Sequence, residues 1–276
     1  MDMFTPSEPS ANFATPFSAA AKPIIELSQL TKTYRSKGKT VLALENVTLP
    51  VEQGSFTTLI GPSGCGKSTL LKIIAGISLP YEGQLLYKGR AMTSINTDVG
   101  FVTQDSNLFP WLTLIENVEL SLKIRGVPKA RRRQTAQKFI DTMQLAGFET
   151  HYPFELSGGM QKRGSIIRTL IYAPDVILMD EPFGPLDAQT RLVLQDELLR
   201  LWDRNKSTIV FVTHDLTEAI ALSDKIVLFT ARPGTVKRIF TVPLPRPRNV
   251  FEIHNEKGFA DLYHEIWQYF KTEIRI

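Results

Sequence analysis

The chain has 276 residues, of which 43% are hydrophobic and 22% charged, and its formal net charge is +4. This size and apolar content predict one α/β domain with a large core rather than a small scaffold held together by disulfides. The single cysteine, Cys65, excludes an intrachain disulfide and fits a reducing cytoplasm, and the mild, mixed charge does not establish nucleic-acid binding. No apolar run approaches the roughly 18 residues of a transmembrane helix, and the N-terminus does not resemble a secretory signal.

The first 22 residues are rich in Ala, Ser, Pro and Thr, a composition that predicts a disordered tail. From residue 24 to about residue 86, β-prone segments surround a glycine-rich loop and the helix that follows it. The ordered part of the chain is therefore expected to begin with strands.

A phosphate-binding loop is predicted between the β-prone residues 55–60 and the helical pattern of residues 70–74. A helix N-terminus reached through glycines offers unpaired backbone N–H groups to an anion. Lys67 can then reach the β- and γ-phosphates of a nucleotide, and the Ser68 hydroxyl can coordinate Mg²⁺. Cys65, inside this loop, is interpreted as a packing residue. The predicted cofactor-binding residues of the loop are Gly61, Pro62, Ser63, Gly64, Cys65, Gly66, Lys67, Ser68 and Thr69.

Two carboxylates follow a second buried strand. Residues 176–179 are wholly apolar, which is typical of a strand covered on both faces of a parallel sheet, and Asp180 and Glu181 come next. Open α/β sheets bind ligands at the carboxyl ends of their strands. Asp180 is therefore predicted to hold Mg²⁺ through water, and Glu181 to polarise the water that attacks the phosphate.

Between about residues 105 and 173 the pattern becomes helical, with helices expected over residues 114–124, over 129–145 and after Gly159. Ser157 is a predicted N-cap, and Gly158 and Gly159 leave N–H groups free for a second anion contact. Strand–helix alternation over residues 176–241 predicts a parallel sheet with crossover helices. In residues 257–271 six apolar side chains share one helical face, which is expected to pack on the chain's own core; a regulatory or dimer contact is the alternative.

Four motifs occur in a fixed order, at residues 61–68, 156–161, 176–181 and 213–215. Together they resemble the ATP-binding subunit of an ABC transporter, and the resemblance covers roughly residues 22–250. It implies a P-loop NTPase of the ABC ATPase type: an α/β fold with a mostly parallel sheet, an antiparallel β part and an inserted helical subdomain at about residues 105–173. The ATPase domain would then span residues 23–250, and residues 251–276 would form a C-terminal helical extension.

The same resemblance implies roles for five more residues. Tyr34 is similar to the aromatic residue that stacks on adenine, with Val41 beside it. Gln104 resembles the Q-loop residue that links Mg²⁺ to the helical subdomain. His214 resembles the switch histidine that contacts the γ-phosphate. Asp187 resembles the D-loop aspartate at the dimer seam.

In this family Ser157 of one copy would face the γ-phosphate held by Lys67 of the other copy, within a head-to-tail dimer. The resemblance therefore implies a homodimer, or a pair with a second ATPase subunit. The catalytic residues would be Lys67, Glu181 and His214, and the cofactors ATP and Mg²⁺.

Connecting segments resemble one importer group more narrowly. Residues 107–113, just after Gln104, are similar to the stretch that lines the groove for a permease's coupling helix. Residues 181–191, 232–234 and 243–248 resemble the nitrate, sulfonate and taurine importers. The resemblance implies ATP-driven import at the cytoplasmic face of the membrane. The expected partners are an integral-membrane permease and a periplasmic or extracellular solute-binding protein, with no nucleic acid.

Two alternatives to import stay open. One is an ABC exporter or lipoprotein-extraction ATPase, and the other is a soluble ABC ATPase that works without a permease. The second would be favoured by twinned ATPase units, coiled-coil insertions or strongly basic arms, and the sequence has none of these. The sequence does not identify the solute, because the solute does not touch this subunit.

Overall fold

The computed structural model describes residues 22–36, 38–79 and 81–274, so residues 1–21 of the predicted tail lie outside the described residues. Its strands form two sheets. The strand bounds are β1 Pro23–Ser36, β2 Lys39–Glu52, β3 Phe56–Ile60, β4 Glu82–Tyr87, β5 Arg90–Ala91, β6 Val99–Val102, β7 Val176–Asp180, β8 Thr208–Val212, β9 Lys225–Phe229 and β10 Val236–Thr241. The antiparallel sheet has the order β2-β1-β4-β5, and the larger sheet has the order β10-β9-β3-β8-β7-β6.

In the larger sheet β9, β3, β8, β7 and β6 run parallel, and β10 pairs antiparallel with β9. Strands β3, β7 and β8 are buried at every residue, as expected for parallel strands covered on both faces. The carboxyl ends of β3, β6, β7 and β8 therefore meet at one edge of the sheet. This edge brings the glycine-rich loop, Gln104, Asp180 and His214 into one region of the molecule.

The helices divide between the sheet and a separate helical part. The helix bounds are α1 Lys67–Ile74, α2 Leu114–Ile124, α3 Lys129–Thr142, α4 Gly158–Leu170, α5 Ala188–Asn205, α6 Leu216–Leu222 and α7 Phe259–Phe270. Three of them, α2, α3 and α4, pack on one another. Helix α5 crosses between the neighbouring strands β7 and β8, and α6 crosses from β8 to β9, which lie on either side of β3. Across the described part of the chain, no helix has the length and apolar character needed to cross a membrane.

The third helix is shorter than the expected 129–145, since α3 ends at Thr142. Gln144 adopts φ 54°, and the N–H of Leu145 donates to the carbonyl of Ile140 at 2.9 Å while the N–H of Gln144 donates to that of Asp141 at 3.1 Å. This pair of bonds is a Schellman motif, which ends a helix in the left-handed conformation. Leu145 continues the apolar pattern because it is buried beyond the helix end.

The apolar face expected in residues 257–271 forms helix α7, which contacts α6. Phe259, Leu262, Ile266 and Phe270 are buried in the same core cluster as the larger sheet, so the prediction of packing on the chain's own core is confirmed for these four. Tyr263 and Trp267 differ, because each remains more than a third exposed.

Two arginines of residues 243–248 close the end of helix α6. The buried Arg248 guanidinium donates to the carbonyls of Ile220 at 3.0 Å, Ser223 at 2.6 Å and Leu244 at 3.1 Å. Arg246 donates to the carbonyl of Leu222 at 2.7 Å. Burial lowers the pKa of Arg248 to about 10. The two side chains supply the donors that the last carbonyls of a helix otherwise lack.

We expect Arg248→Met to lower the free energy of unfolding by about 3 kcal/mol, because buried carbonyls at the end of α6 lose a charged donor. Chemical denaturation of the two proteins measures the difference. Arg204→Met, at an exposed position of α5, is the matched control and should change stability by less than about 0.5 kcal/mol. Equal losses for both variants would contradict the capping role of Arg248.

Candidate active site

The glycine-rich loop joins β3 to α1 as predicted. Helix α1 begins at Lys67, and Gly66 before it has φ 109°, a conformation that favours glycine. A Cβ atom on Gly66 would also lie 2.6 Å from Leu44 Cδ2 and 2.8 Å from the carbonyl oxygen of Ala43. The loop is therefore held closely against β2, and its N–H groups precede a helix N-terminus, which is an anion-binding arrangement.

Two side chains of this loop are buried. Lys67 Nζ donates to the carbonyls of Gly61 at 2.7 Å and Pro62 at 3.0 Å, so the lysine lies back across the loop. Cys65 Sγ is 3.7 Å from the same Nζ, and burial raises the pKa of the Cys65 thiol. A buried thiol with a raised pKa is a poor nucleophile, in keeping with a packing role.

The turn after β9 supports the loop from the other side. Gly234 exchanges backbone hydrogen bonds with β2, donating to the carbonyl of Ala43 and accepting from the N–H of Glu45, each at 3.0 Å. A Cβ atom on Gly234 would overlap the carbonyl oxygen of Cys65. Arg232, in the same turn, donates to the carbonyl of Gly64 at 3.3 Å. The phosphate-binding loop is thus packed between β2 and this turn.

The predicted metal ligands Ser68 and Asp180 come together at the sheet edge. Ser68 Oγ donates to Asp180 Oδ1 at 2.8 Å. Burial and the neighbouring Glu181 raise the pKa of Asp180, against the lowering effect of the Ser68 hydrogen bond. Among the described residues no group of three or more His, Cys, Asp or Glu side chains could hold a metal. A hydroxyl and one carboxylate fit Mg²⁺, which usually keeps several waters and is shared with substrate phosphates.

The predicted catalytic residues Glu181 and His214 also meet. Glu181 follows β7 with φ 43°, and its N–H donates to the carbonyl of Val212 at 3.0 Å. His214 Nδ1 lies 3.3 Å from Glu181 Oε2, and the histidine side chain is 67% exposed. Positive φ at a residue other than glycine is strained and is frequent at functional sites. The two side chains thus face the space beyond the sheet edge.

A buried carboxylate lies behind the histidine, and the sequence analysis did not identify it. Glu218 accepts from Thr213 Oγ1 at 2.6 Å and from Gln195 Nε2 at 3.1 Å, and burial raises its pKa. The sequence does contain one indication of a role for Glu218: it follows Asp215 by three residues, a spacing that predicts a helix capping box. Asp215 does cap α6, but Glu218 instead connects α5 to the segment that carries His214.

Gln104 lies beside this group because β6 is the neighbour of β7, with Val102 paired to Met179. Its side chain is exposed, while its backbone carbonyl and that of Thr103 accept from Lys162 Nζ at 2.8 Å and 2.6 Å. Burial lowers the pKa of Lys162 to about 8. Lys162 directly follows the motif at residues 156–161, but its contact could not be predicted, because Lys162 and Thr103 are about sixty residues apart in the sequence.

Tyr34 and Val41 are paired across β1 and β2, and their exposed fractions are 40% and 37%. The Tyr34 hydroxyl lies 3.1 Å from Ser78 Oγ and also interacts with Thr69, in the first turn of α1. An exposed aromatic ring with a fixed hydroxyl suits stacking on a flat ligand ring. The predicted adenine contact thus lies near the phosphate-binding helix.

The remaining predicted residues form a second, exposed cluster. Ser157 caps α4 by accepting from the N–H of Met160 at 3.3 Å, and Asp187 caps α5 by accepting from that of Thr190 at 2.9 Å. A Cβ atom on Gly159 would lie 3.2 Å from Thr190 Cγ2, so the two helix starts are neighbours. Within the described residues no hydrogen bond joins Ser157, Gly158 or Gly159 to Lys67 or Ser68.

A parallel sheet with a phosphate-binding loop, a hydroxyl–carboxylate pair and a glutamate beside a histidine at one edge defines a P-loop nucleoside triphosphatase. Two further features distinguish one family within this class: the inserted helices α2 to α4, and the second glycine-rich segment at the start of α4. The chain belongs to the ABC transporter family, whose model matches residues 44–184. It is therefore an ATP-binding ABC ATPase, and the prediction of family and fold is confirmed.

Relatives match nearly the whole chain. An uncharacterised ABC transporter ATP-binding protein of Methanocaldococcus jannaschii, MJ0412, is 46% identical over 91% of this chain and 92% of its own length. The aliphatic sulfonates import ATP-binding protein SsuB of Bacillus cereus is 42% identical over 90% of this chain and 96% of its own length. The nitrate import ATP-binding protein NrtD of Synechocystis is 39% identical over 88% of this chain and 93% of its own length.

A solved structure has the same fold. It is the dimeric, post-hydrolysis state of the ATP-binding cassette MJ0796 bound to ADP and Pi, with a TM-score of 0.72 and 34% identity. The match covers 79% of this chain and 98% of the cassette.

Proposed function

We propose that this chain is the ATP-hydrolysing subunit that energises solute import through a separate membrane permease. The main observation is that one sheet edge brings together Ser68 with Asp180 and Glu181 with His214, while Ser157 stands exposed on another helix. Relatives at 42% and 39% identity are named as sulfonate and nitrate import ATP-binding proteins. We infer an anion of that kind, or a small organic solute, as the cargo. A solute-binding protein outside the cell would deliver it.

In the proposed mechanism the backbone N–H groups of residues 61–69 hold the phosphates of ATP, and Tyr34, with Val41 beside it, stacks on the adenine. Lys67 turns from the loop carbonyls toward the β- and γ-phosphates. Ser68, Asp180 and Gln104 would hold Mg²⁺, an oxygen ligand set that suits this ion. When bound, Mg²⁺ supplies positive charge that neutralises the phosphate oxygens.

Hydrolysis transfers the γ-phosphoryl group to water. Glu181 orients the attacking water, and His214, 3.3 Å from that carboxylate, contacts the γ-phosphate. The bond from the γ-phosphorus to the bridging oxygen breaks as the bond to the water oxygen forms, giving ADP and inorganic phosphate. Most of the rate enhancement comes from positioning and electrostatic stabilisation, as is general for phosphoryl transfer.

A second copy would complete each site. Ser157, Gly158 and Asp187 are exposed, and the two glycines leave the first N–H groups of α4 free for an anion. In the head-to-tail dimer that we propose, Ser157 of one copy faces the γ-phosphate bound by the other, and Asp187 lies at the seam. The dimeric state of the MJ0796 cassette, 34% identical to this chain, supports this arrangement.

A rigid aromatic surface next to Gln104 is the proposed permease contact. We define the aromatic loop as residues 107–113; in it Trp111 is 68% exposed and its ring centroid lies 5.3 Å from that of Phe109. The buried Asn117 side chain fixes this loop through bonds to the N–H of Phe109 at 2.7 Å and the carbonyl of Leu112 at 3.0 Å. Exposed aromatic side chains on a fixed backbone suit a partner helix that buries them.

We expect the double variant Phe109→Ala, Trp111→Ala to lose co-purification with the permease from detergent-solubilised membranes. Each aromatic anchor would contribute roughly 1–3 kcal/mol to the interface. ATP binding by the isolated subunit should be unchanged, because both side chains lie outside the phosphate-binding loop. The subunit should therefore occupy the cytoplasmic face of the membrane only while the aromatic loop is intact.

Ile124→Ala is the matched control, since Ile124 is an exposed apolar residue of the same helical part, at the far end of α2. It should keep both ATP binding and permease association. If the double variant assembles and supports uptake like the parent, the aromatic loop is not the permease contact. If the double variant loses ATP binding as well, the two aromatic residues serve the fold instead.

A further inference from the structure

Lys162 is a buried cation that the mechanism above does not use. Its side chain is 1% exposed, and its Nζ donates to the carbonyls of Thr103 and Gln104, the two residues that follow β6. Within the described chain no carboxylate lies within ion-pair distance of it. A buried ammonium group without a carboxylate partner depends on its hydrogen bonds, so these two carbonyls are its main stabilisation.

Two further side chains of α4 contact the same segment. Gln161 Oε1 accepts from Ser106 Oγ at 3.1 Å, and Arg168 Nη1 donates to the carbonyl of Asn107 at 2.8 Å. Gln161 Nε2 also donates to the carbonyl of Leu156 at 3.2 Å, immediately before Ser157. Residues 103–107 are therefore attached to α4 by a row of contacts that begins next to Ser157.

These contacts join groups that serve two different nucleotides. In the proposed function Gln104 contacts the nucleotide of its own chain, while Ser157 contacts the nucleotide of the second copy. If residues 103–104 moved without α4, Lys162 would lose its acceptors in a buried environment. The loop and the helix are therefore expected to move together.

We propose that Lys162 is a positioning residue that couples the nucleotide state sensed at Gln104 to the position of Ser157. Closure of one ATP site then depends on nucleotide bound at the other. Lys162 itself touches no nucleotide. This inference rests on the proposed function for the roles of Gln104 and Ser157.

The first test uses the full-length chain at concentrations where it is monomeric, so that Ser157 has no nucleotide to contact. Hydrogen–deuterium exchange is followed with and without MgATP in the Glu181→Gln protein, which should retain ATP. We expect residues 103–107 and residues 157–163 to gain protection together. Protection of residues 103–107 with no change in residues 157–163 would overturn the role of Lys162. A lack of change in both segments would instead remove Gln104 from the proposed nucleotide site.

The second test introduces Lys162→Met, which keeps a side chain of similar length but removes the donors. In the Glu181→Gln background the affinity of the monomer for ATP should stay within about threefold. The dissociation constant of the ATP-driven dimer, measured by sedimentation, should rise about tenfold, a size typical of coupling between sites. In the exchange experiment the change in residues 157–163 should disappear.

Arg132→Met is the matched control. Arg132 is a largely buried basic residue of α3 that donates to the carbonyl of Val127 at 3.3 Å and pairs with Glu119, away from residues 103–107. It should lower thermal stability without changing ATP-driven dimerisation. Unchanged dimerisation by Lys162→Met would overturn the inference. If the Glu181→Gln parent does not dimerise with ATP, the proposed dimer is wrong. If Lys162→Met does not fold, the hydrogen–deuterium exchange of the Glu181→Gln parent decides whether residues 103–107 and residues 157–163 are coupled.

Discussion

Glu181→Gln should reduce ATP turnover by about 100-fold or more while ATP binding is kept, because the amide preserves the shape of the side chain but loses the carboxylate that we propose orients the attacking water. Both side chains have the same branching, so the strained φ of 43° at this position is not made worse by the change. With hydrolysis blocked, the ATP-bound dimer should persist. Steady-state phosphate release and sedimentation in MgATP measure the two effects.

Glu252→Gln is the control for loss of one negative charge. Glu252 is exposed and belongs to the segment that joins β10 to α7, outside the site. It should hydrolyse ATP at the parental rate. Parental turnover by Glu181→Gln would show that another group orients the water, and His214, its neighbour at 3.3 Å, would be the next residue to replace.

Gly234→Ala should weaken ATP binding at least tenfold, although residue 234 is 168 positions or more from the loop residues 61–66. The new methyl group would overlap the carbonyl oxygen of Cys65, so either the turn or the phosphate-binding loop must shift. Overpacking of this kind costs about 1–3 kcal/mol, and a shift of that loop changes the N–H groups that face the phosphates. Calorimetric titration with MgATP measures the affinity.

Gly89→Ala separates this steric effect from the general cost of replacing a glycine. Gly89 has φ 73° and nothing within 4 Å of a Cβ atom, so the substitution should cost stability through backbone strain alone. Its ATP affinity should equal that of the parent. Equal ATP affinities for the two variants would mean that the turn after β9 does not position the loop.

Local patterns predicted the parts of the fold that depend on neighbouring residues. Residues 176–179 and 209–212 are apolar without interruption, and they lie in fully buried parallel strands. Helix α2 has the predicted bounds, because Thr113 and Glu116 form a capping box at its start. Helix α3 stops three residues early, because Gln144 adopts a left-handed conformation that the apolar period does not reveal.

Contacts between distant segments could not be predicted in the same way. Lys162 with Thr103, Glu218 with Gln195, and Gly234 with Cys65 each join residues whose separation along the chain carries no periodic signal. Such contacts follow from the packing of strands and helices, which a single sequence does not specify pair by pair. The strand ends, by contrast, were predictable, because parallel strands present their carboxyl ends at one edge.

The position of Cys65 has a practical consequence for spectroscopy. It is the only cysteine in the sequence, and it is buried with a raised pKa, so maleimide dyes should react with it slowly. A cysteine introduced at an exposed position, such as Ile124→Cys, would then take up a single dye per copy without removal of the native thiol. Energy transfer between two copies labelled in this way would report the distance between their helical parts through each cycle of ATP hydrolysis.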